Sequence, residues 1–280
     1  MNESELILNA DGSIYHLALR PGEIGNTIIL VGDQDRVSKV SQYLDRIEFK
    51  KQKREFVTHT GWLGEKKITV LSTGIGTDNI DIVINELDAL VNIDFETRQV
   101  KPSLQSLSFI RIGTSGAIHP DVNLDDVVAS RYAIGTDALG HYFEVEKQPH
   151  PLLPPWSYLT GRYDFDLSHF PIPFTEGITL TCPGFYNPQG RVLRIASKYN
   201  LPVEKLNSIL IKNTPITNLE METAGIYLLA DLLGHKAISF NAILAQRLIG
   251  AFSSNPEKTI DELIKNVLNW ISFNPSSHIY

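Results

Sequence analysis

The chain has a single cysteine, Cys182, in 280 residues. That excludes an internal disulfide and any metal cage built from cysteines. Basic residues are also in deficit: 25 Lys and Arg face 32 Asp and Glu, for a formal charge of −7. Broad binding to nucleic acid or to an anionic membrane surface needs a basic face, which this balance does not supply. No apolar run approaches the length of a membrane span. The start, Met1-Asn2-Glu3-Ser4-Glu5, is acidic and has no signal-peptide apolar block. Gly-Lys-Ser/Thr phosphate loops are missing, and Thr73-Gly74-Ile75-Gly76 lacks the third glycine and acidic partner of a dinucleotide fingerprint. There is no internal repeat, low-complexity tract or domain linker. What is there is 42% hydrophobic and 20% charged, enough to bury a sizeable core. A soluble, cytoplasmic enzyme or binding protein of α/β type is expected.

The most informative stretch is 109–117, Phe-Ile-Arg-Ile-Gly-Thr-Ser-Gly-Ala. A short apolar run (Leu107, Phe109, Ile110, Ile112) leads into Gly113-Thr114-Ser115-Gly116. A buried strand ending in such a turn gathers backbone N–H groups and hydroxyls around a small concave site suited to phosphate. Arg111 inside the run is costly unless something pairs with it, which points to an anion. A strand-to-loop turn whose arginine meets a core carboxylate explains the same residues, and the motif leaves both readings open.

Strand-like and helix-like segments alternate along the chain. Buried strands are expected at 27–31, 68–71, 107–113, 126–129, 178–181, 208–211 and 237–240. Asp33 is a plausible N-cap for a helix burying Val37, Val40 and Leu44. A second helix carries Ile80, Val83, Ile84, Leu87 and Val91 inward. Further helices are expected at 188–199, 220–233 and 257–272, the last introduced by Asn255-Pro256. Residues 92–106 read as a polar surface excursion. The expected fold is α/β: one domain over residues 1–280, with a central mixed β-sheet flanked by helices on both faces. Three strands run into glycine-containing loops at 31–33, 72–76 and 112–116, where open α/β sheets bind ligands.

Several segments, in order, resemble the nucleoside phosphorylase family of the uridine phosphorylase and hexameric purine nucleoside phosphorylase type, and uridine phosphorylase most closely. They are His16-Leu17-Ala18-Leu19, Val31-Gly32-Asp33-Gln34-Asp35-Arg36-Val37, Arg54-Glu55-Phe56, Ser72-Thr73-Gly74-Ile75-Gly76, Arg111-Ile112-Gly113-Thr114-Ser115-Gly116-Ala117 and Asn218-Leu219-Glu220-Met221-Glu222-Thr223-Ala224. Together they span roughly 14–250, and the order is far more specific than any one match. Phe185-Tyr186-Asn187-Pro188-Gln189-Gly190-Arg191 looks like the segment in which glutamine and arginine hold a uracil edge. Gln189 can donate and accept while Arg191 only donates, which matches a pyrimidine dione. The purine enzymes carry an aspartate just beyond the last sheet strand. Here Leu244-Ala245-Gln246-Arg247-Leu248-Ile249-Gly250 has no acid.

The resemblance implies reversible phosphorolysis of uridine to uracil and ribose 1-phosphate. Gly32, Arg36, Arg111 and Thr114 would hold phosphate, joined by Arg54 from a neighbouring subunit. Glu222, with Met221 and Glu220, would hold the ribose, and His16 of the adjacent subunit would approach its 5′-hydroxyl. Phe185 would stack on the base, Gln189 and Arg191 would take charge leaving through the uracil oxygens, and Arg247 would support that edge. Catalysis would fall chiefly to Arg191, Gln189, Arg111 and Glu222. No metal or organic cofactor is implied, inorganic phosphate being a co-substrate. The histidines His59, His119, His141, His150, His169, His235 and His278 show no metal spacing. Relatives can hold a monovalent cation near the position of Glu55, but their serine ligand is matched here by Asn79, which leaves that cation open. Shared sites imply a homo-oligomer, at least a dimer and in relatives commonly a hexamer.

The chain departs from the family at Gly76-Thr77-Asp78-Asn79, at 92–106, at the Pro/His-rich 141–175 and at Asn187-Pro188. A purine nucleoside phosphorylase or a nucleosidase is the alternative activity. A non-catalytic nucleoside-binding or storage relative is the alternative of another class. Retention of Arg36, Arg54 and Arg111 weighs against a nucleosidase, since water needs no such cluster.

Overall fold

The computed structural model describes residues 1–199 and 201–273. Its elements in chain order are β1 (Thr27–Val31), α1 (Gln34–Ser41), β2 (Arg46–Lys53), β3 (Phe56–Leu63), β4 (Lys66–Ser72), α2 (Thr77–Asn92), β5 (Ile93–Asp94), β6 (Gln99–Val100), β7 (Ser108–Ala117) and β8 (Val127–Gly135). There follow β9 (Glu146–Lys147), β10 (Tyr158–Gly161), β11 (Thr175–Thr181), α3 (Val203–Leu206), β12 (Leu210–Ile211), β13 (Thr214–Glu220), α4 (Thr223–Leu232), β14 (Lys236–Gln246), β15 (Ala251–Phe252) and α5 (Pro256–Phe273). The order across the main sheet is β12-β13-β11-β8-β14-β7-β1-β4-β3-β2, with mixed parallel and antiparallel pairs. Beyond that path β13 also pairs with β7, so β7, β14, β8, β11 and β13 close into a barrel.

Alternation along β1 explains the two layers of helices. Ile28 and Leu30 point into a core shared with α2 and α4, while Ile29 and Val31 point into one shared with α1 and α5. A strand buried on both faces reads as a continuous apolar run, which is how Thr27–Val31 looks in the sequence. The expected α/β architecture with helices on both faces is what the chain forms. Among the described residues no helix is long and apolar enough to cross a membrane. One irregularity matters later. The β14–β7 register passes from Ile243 opposite Ser115 to Ala245 opposite Gly116, leaving Leu244 as an extra, bulged residue.

Asp33 caps α1 through a side-chain bond from the Asp35 N–H at 3.0 Å, as its position suggests. Other expectations are corrected. No helix spans 188–199: a single 3₁₀ turn covers Asn187–Gln189, and Gly190 ends it at φ +70°. Val192, Leu193 and Ile195 then lie exposed, because their apolar spacing has no core to meet. The 208–211 strand shrinks to Leu210–Ile211, and the 220–233 helix starts at Thr223 because β13 runs through Glu220. Most consequential, Gly113-Thr114-Ser115-Gly116 is not a turn. It continues β7, in register with Asn241, Ala242, Ile243 and Ala245 of β14. Its backbone lies in the sheet ladder, so it forms no anion nest. The surface excursion at 92–106 is a small β5–β6 hairpin.

Candidate active site

Arg111 lies mid-strand on β7, between Ile110 and Ile112, and is 5% exposed. Its two neighbours point into the α1/α5 core, so the strand's pleat turns Arg111 to the opposite face. There Nη2 donates to Glu222 Oε2 at 2.6 Å and lies 3.1 Å from Glu220 Oε2. Nη1 donates to Asn241 Oδ1 at 2.8 Å and, more weakly, to Ser239 Oγ at 3.4 Å. Gly113, two residues on, leaves the room: a Cβ there would lie 1.8 Å from Nη1. Of the two readings of the motif, the core carboxylate partner is thus realised, in a strand rather than a turn. Burial pulls the Arg111 pKa down, but the two glutamates outweigh it and hold the value above that of a free arginine.

The two glutamates do different work. Glu220 accepts from Thr181 Oγ1 at 2.5 Å and from the backbone N–H groups of Glu222 and Thr223 at 2.8 and 2.9 Å. It therefore caps α4 and steadies Arg111 through Oε2, while Oε1 accepts only from Thr181. The ribose contact expected of it would fall to Oε1. Glu222 accepts one bond on each oxygen, from Gly76 N–H at 2.8 Å and from Arg111, so each oxygen keeps a free lone pair. Burial raises its pKa, and the nearby Glu220 adds to the rise, against the pull of Arg111. Met221, between them, is half-buried.

Arg36, on α1, reaches toward this cluster and bonds the Ile112 carbonyl at 3.4 Å. No carboxylate lies within ion-pair distance of it among the described residues. Burial lowers its pKa and the charge of Arg111 lowers it further. Arg36, a cation whose charge the neighbouring Arg111 disfavours, makes a site that an anion relieves. Thr114 is half-buried on β7, three residues past Arg111, and Gly32, at the β1–α1 loop, lies against the Gly74 loop, where a Cβ would meet the Gly74 carbonyl oxygen at 3.6 Å.

A second arginine pair stands on the far side of Glu220. Gln189 is 2% exposed, and its Oε1 accepts from Arg191 Nη1 at 2.5 Å while its carbonyl accepts from Arg247 Nη2 at 3.1 Å. Its Nε2 sits 3.5 Å from the Glu220 carbonyl oxygen, which ties this group to the first. Arg191 also lies over the Phe185 ring, 3.8 Å from its centroid, so one face of the ring expected to stack on a base is covered by the guanidinium. Burial lowers the Arg191 pKa to about 10, with Arg247 contributing. The Arg247 Nη1 is buried without a partner among the described residues, and burial lowers the pKa of this arginine as well.

His16 and Arg54 do not join this assembly within the chain. The His16 backbone N–H and ring Nδ1 both bond Glu86 of α2, at 3.0 and 2.7 Å. Arg54 sits at the exposed β2–β3 turn with φ +54°. Tyr15 joins the two, with its ring 4.8 Å from that of His16 and 5.8 Å from the Arg54 guanidinium carbon. Glu55 and Asn79 converge on Gly74, where a Cβ would come 2.4 Å from Asn79 Nδ2 and 3.3 Å from Glu55 Cγ. Among the described residues no cluster of three or more His, Cys, Asp or Glu is arranged to hold a metal ion; His278 lies outside them. Sequence reasoning missed Asn241, Ser239, Thr181 and Gly76 as the groups that hold the charged side chains. Only Asn241, a lone amide within the apolar run Ala237–Leu244, carried a visible signal.

A family model described as "Phosphorylase superfamily" matches residues 26–269. The uridine phosphorylase of Thermococcus kodakarensis is 29% identical over 266 residues, covering 93% of this chain and 88% of that protein. A DeoD-type purine nucleoside phosphorylase of Bacillus subtilis is 26% identical over 260 residues, covering 92% and 98%. Among solved structures, a Trypanosoma brucei nucleoside phosphorylase, described as showing uridine phosphorylase activity, superposes with a TM-score of 0.81 at 27% identity. The match covers 95% of this chain and 99% of that one.

Proposed function

The chain belongs to the phosphorylase superfamily, and from that premise we propose that it catalyses the reversible phosphorolysis of uridine, giving uracil and ribose 1-phosphate. The observation that carries this reading is the Arg36–Arg111 pair beside Glu222, with Gln189 and Arg191 on the other side of Glu220. Relatives named as uridine phosphorylases support the base assignment, as does the absence of an acid in 244–250.

In the proposed reaction a phosphate oxygen forms a bond to C1′ as the C1′–N1 bond breaks, with inversion, and the bonding pair leaves on uracil. Arg36, Arg111, Thr114 and the Gly32 N–H hold the phosphate beneath the sugar, where it is both nucleophile and counter-charge. Glu222 takes the ribose hydroxyls on its two free lone pairs, with Met221 against the sugar. Gln189 and Arg191 donate to the uracil oxygens as charge arrives there, Arg247 backs them, and the open face of Phe185 meets the base. Donors aimed at developing charge favour the transition state over the ground state. His16 and Arg54 would come from a second copy of the chain, which the Tyr15-centred patch presents together; a dimer or larger homo-oligomer is part of the proposal. So are a cytoplasmic setting, a single working domain over residues 1–280 and the lack of an organic cofactor. Glu55 and Asn79 are where an interface monovalent cation would sit.

The test is the absorbance change on adding uridine to the purified protein with and without inorganic phosphate, beside an inosine control. Phosphate-dependent loss of uridine with inosine inert is expected. Cleavage of inosine alone would overturn the base assignment, and turnover without phosphate would replace phosphorolysis by hydrolysis.

A further inference from the structure

The interior of the barrel holds a directed chain of buried polar groups that ends on Arg111. Asn241 Nδ2 donates to Ser130 Oγ at 3.1 Å, Ser130 lies 2.5 Å from Thr179 Oγ1, Thr179 donates to Asn218 Oδ1 at 3.0 Å, and Asn218 Nδ2 donates to Ser115 Oγ at 2.9 Å. Asn241, Ser130, Thr179 and Asn218 have no exposed surface. Each hydroxyl has one proton. Because Thr179 spends its own on Asn218, Ser130 must donate to Thr179, and so Ser130 can only accept from Asn241. The Asn241 amide therefore has one allowed orientation: NH₂ toward Ser130, oxygen toward Arg111 Nη1 at 2.8 Å. A flipped amide would set donor against donor at Arg111 and acceptor against acceptor at Ser130.

We propose that Asn241 is a positioning residue for the anion site. The chain fixes its amide, the amide holds Nη1, and Nη1 sets the plane of the Arg111 guanidinium, leaving Nη2 on Glu222. Among the described residues no other neutral group grips Arg111 as closely, since Ser239 stands at 3.4 Å. This role rests on the phosphate reading above and extends it to a residue that touches no substrate. A loosened guanidinium meets phosphate with poorer geometry, while Glu222 keeps its bond from the Gly76 N–H and the groups that hold the base are untouched. The cost therefore falls on the phosphate.

Two variants test this: Asn241→Leu, which keeps volume and loses the acceptor, and Asn241→Ser, which is too short to reach Arg111 and is less disruptive if the first does not fold. The readouts are the KM for phosphate, the KM for uridine and the rise in Tm on adding inorganic phosphate. Losing a buried hydrogen bond to a charged group predicts a phosphate KM raised about tenfold or more, with uridine KM within about twofold. The phosphate-dependent rise in Tm should shrink in parallel. A purely structural role would lower Tm and leave the phosphate KM and the phosphate-dependent rise unchanged in the folded variant, which would overturn the proposal for Asn241 alone. If the unmodified protein shows neither phosphate-dependent turnover nor a phosphate-dependent rise in Tm, the phosphate reading itself fails.

Discussion

The guanidinium of Arg111 folds back over Gly113, two residues along the same strand, so closely that a Cβ at the glycine would lie 1.8 Å from Nη1 and 2.3 Å from Cζ. The glycine is needed for space, since its backbone is ordinary extended strand paired with Asn241. One strand position makes room for the charge that its neighbour carries.

Gly113→Ala should therefore displace Arg111 and leave the rest of the sheet intact. A misplacement of about 1 Å at the reacting centre costs on the order of 100-fold in rate, and overpacking costs about 1–3 kcal/mol of stability. Steady-state kinetics beside a thermal melt check both numbers. Full activity in this variant would mean that Arg111 can act from another position.

Glu222 sets an acid limb. On the proposed reading it accepts ribose hydroxyls when ionised, and its folded pKa is raised above the usual 4.5 by burial and by Glu220. Turnover should fall as pH drops through that raised value, earlier than for an exposed glutamate. Glu222→Gln should abolish the limb and lower kcat/KM by about 10- to 100-fold. Stability runs the other way. The group's contribution is fully present below the unfolded value and is lost as pH rises through the folded one. The Gln variant should thus gain Tm relative to the parent as pH moves from acid toward neutral.

Arg191→Ala removes the donor beside Gln189. By analogy with loss of an oxyanion donor, kcat with uridine should fall by about 100- to 1000-fold. In the parent, Arg191 titrates near 10 because it is buried beside Arg247, so uridine turnover should also decline as pH rises through that value. The variant, having no such group, should lack this alkaline decline.

Mixing inactive chains tests the second copy. Arg54→Ala and Glu222→Ala should each be inactive alone. If Arg54 serves a neighbour's site, random dimers of the two would restore about a quarter of the sites. No recovery after denaturation and refolding of the mixture would confine Arg54 to its own chain.

Much of this was legible in the sequence because it depends on local pattern. The apolar runs at Thr27–Val31 and Ile68–Leu71, the Asp33 cap and the stripe of α5 all lie where spacing puts them. The charged hairpin strand Arg46–Lys53 was not legible, since its edge position admits Arg, Glu and three Lys where a buried strand would show Val or Ile. The Gly-Thr-Ser-Gly run misled for a related reason. Glycines make room for Arg111 and, at Gly116, for Arg247, whose Cγ lies 3.3 Å from a Cβ built there. Composition alone cannot tell a glycine that turns the chain from one that clears space for a side chain. The site itself was legible as a set of charged residues and opaque as a network. Thr181 and Gly76 act through distance across strands, and nothing in their own segments announces it, while Asn241 shows only as a lone amide in an apolar run.

The extra residue Leu244 has a consequence for how such enzymes diverge. A bulge takes up one residue without shifting the pairing beyond it, so Ala245 and Gln246 still face Gly116 and Ala117. Arg247, next along, reaches the Gln189 carbonyl from that kept register. A single-codon deletion there would be absorbed by loss of the bulge, with the same partners across the ladder and the Arg247 cation still beside Gln189. This strand can thus change its length by one residue without moving the side chains that follow.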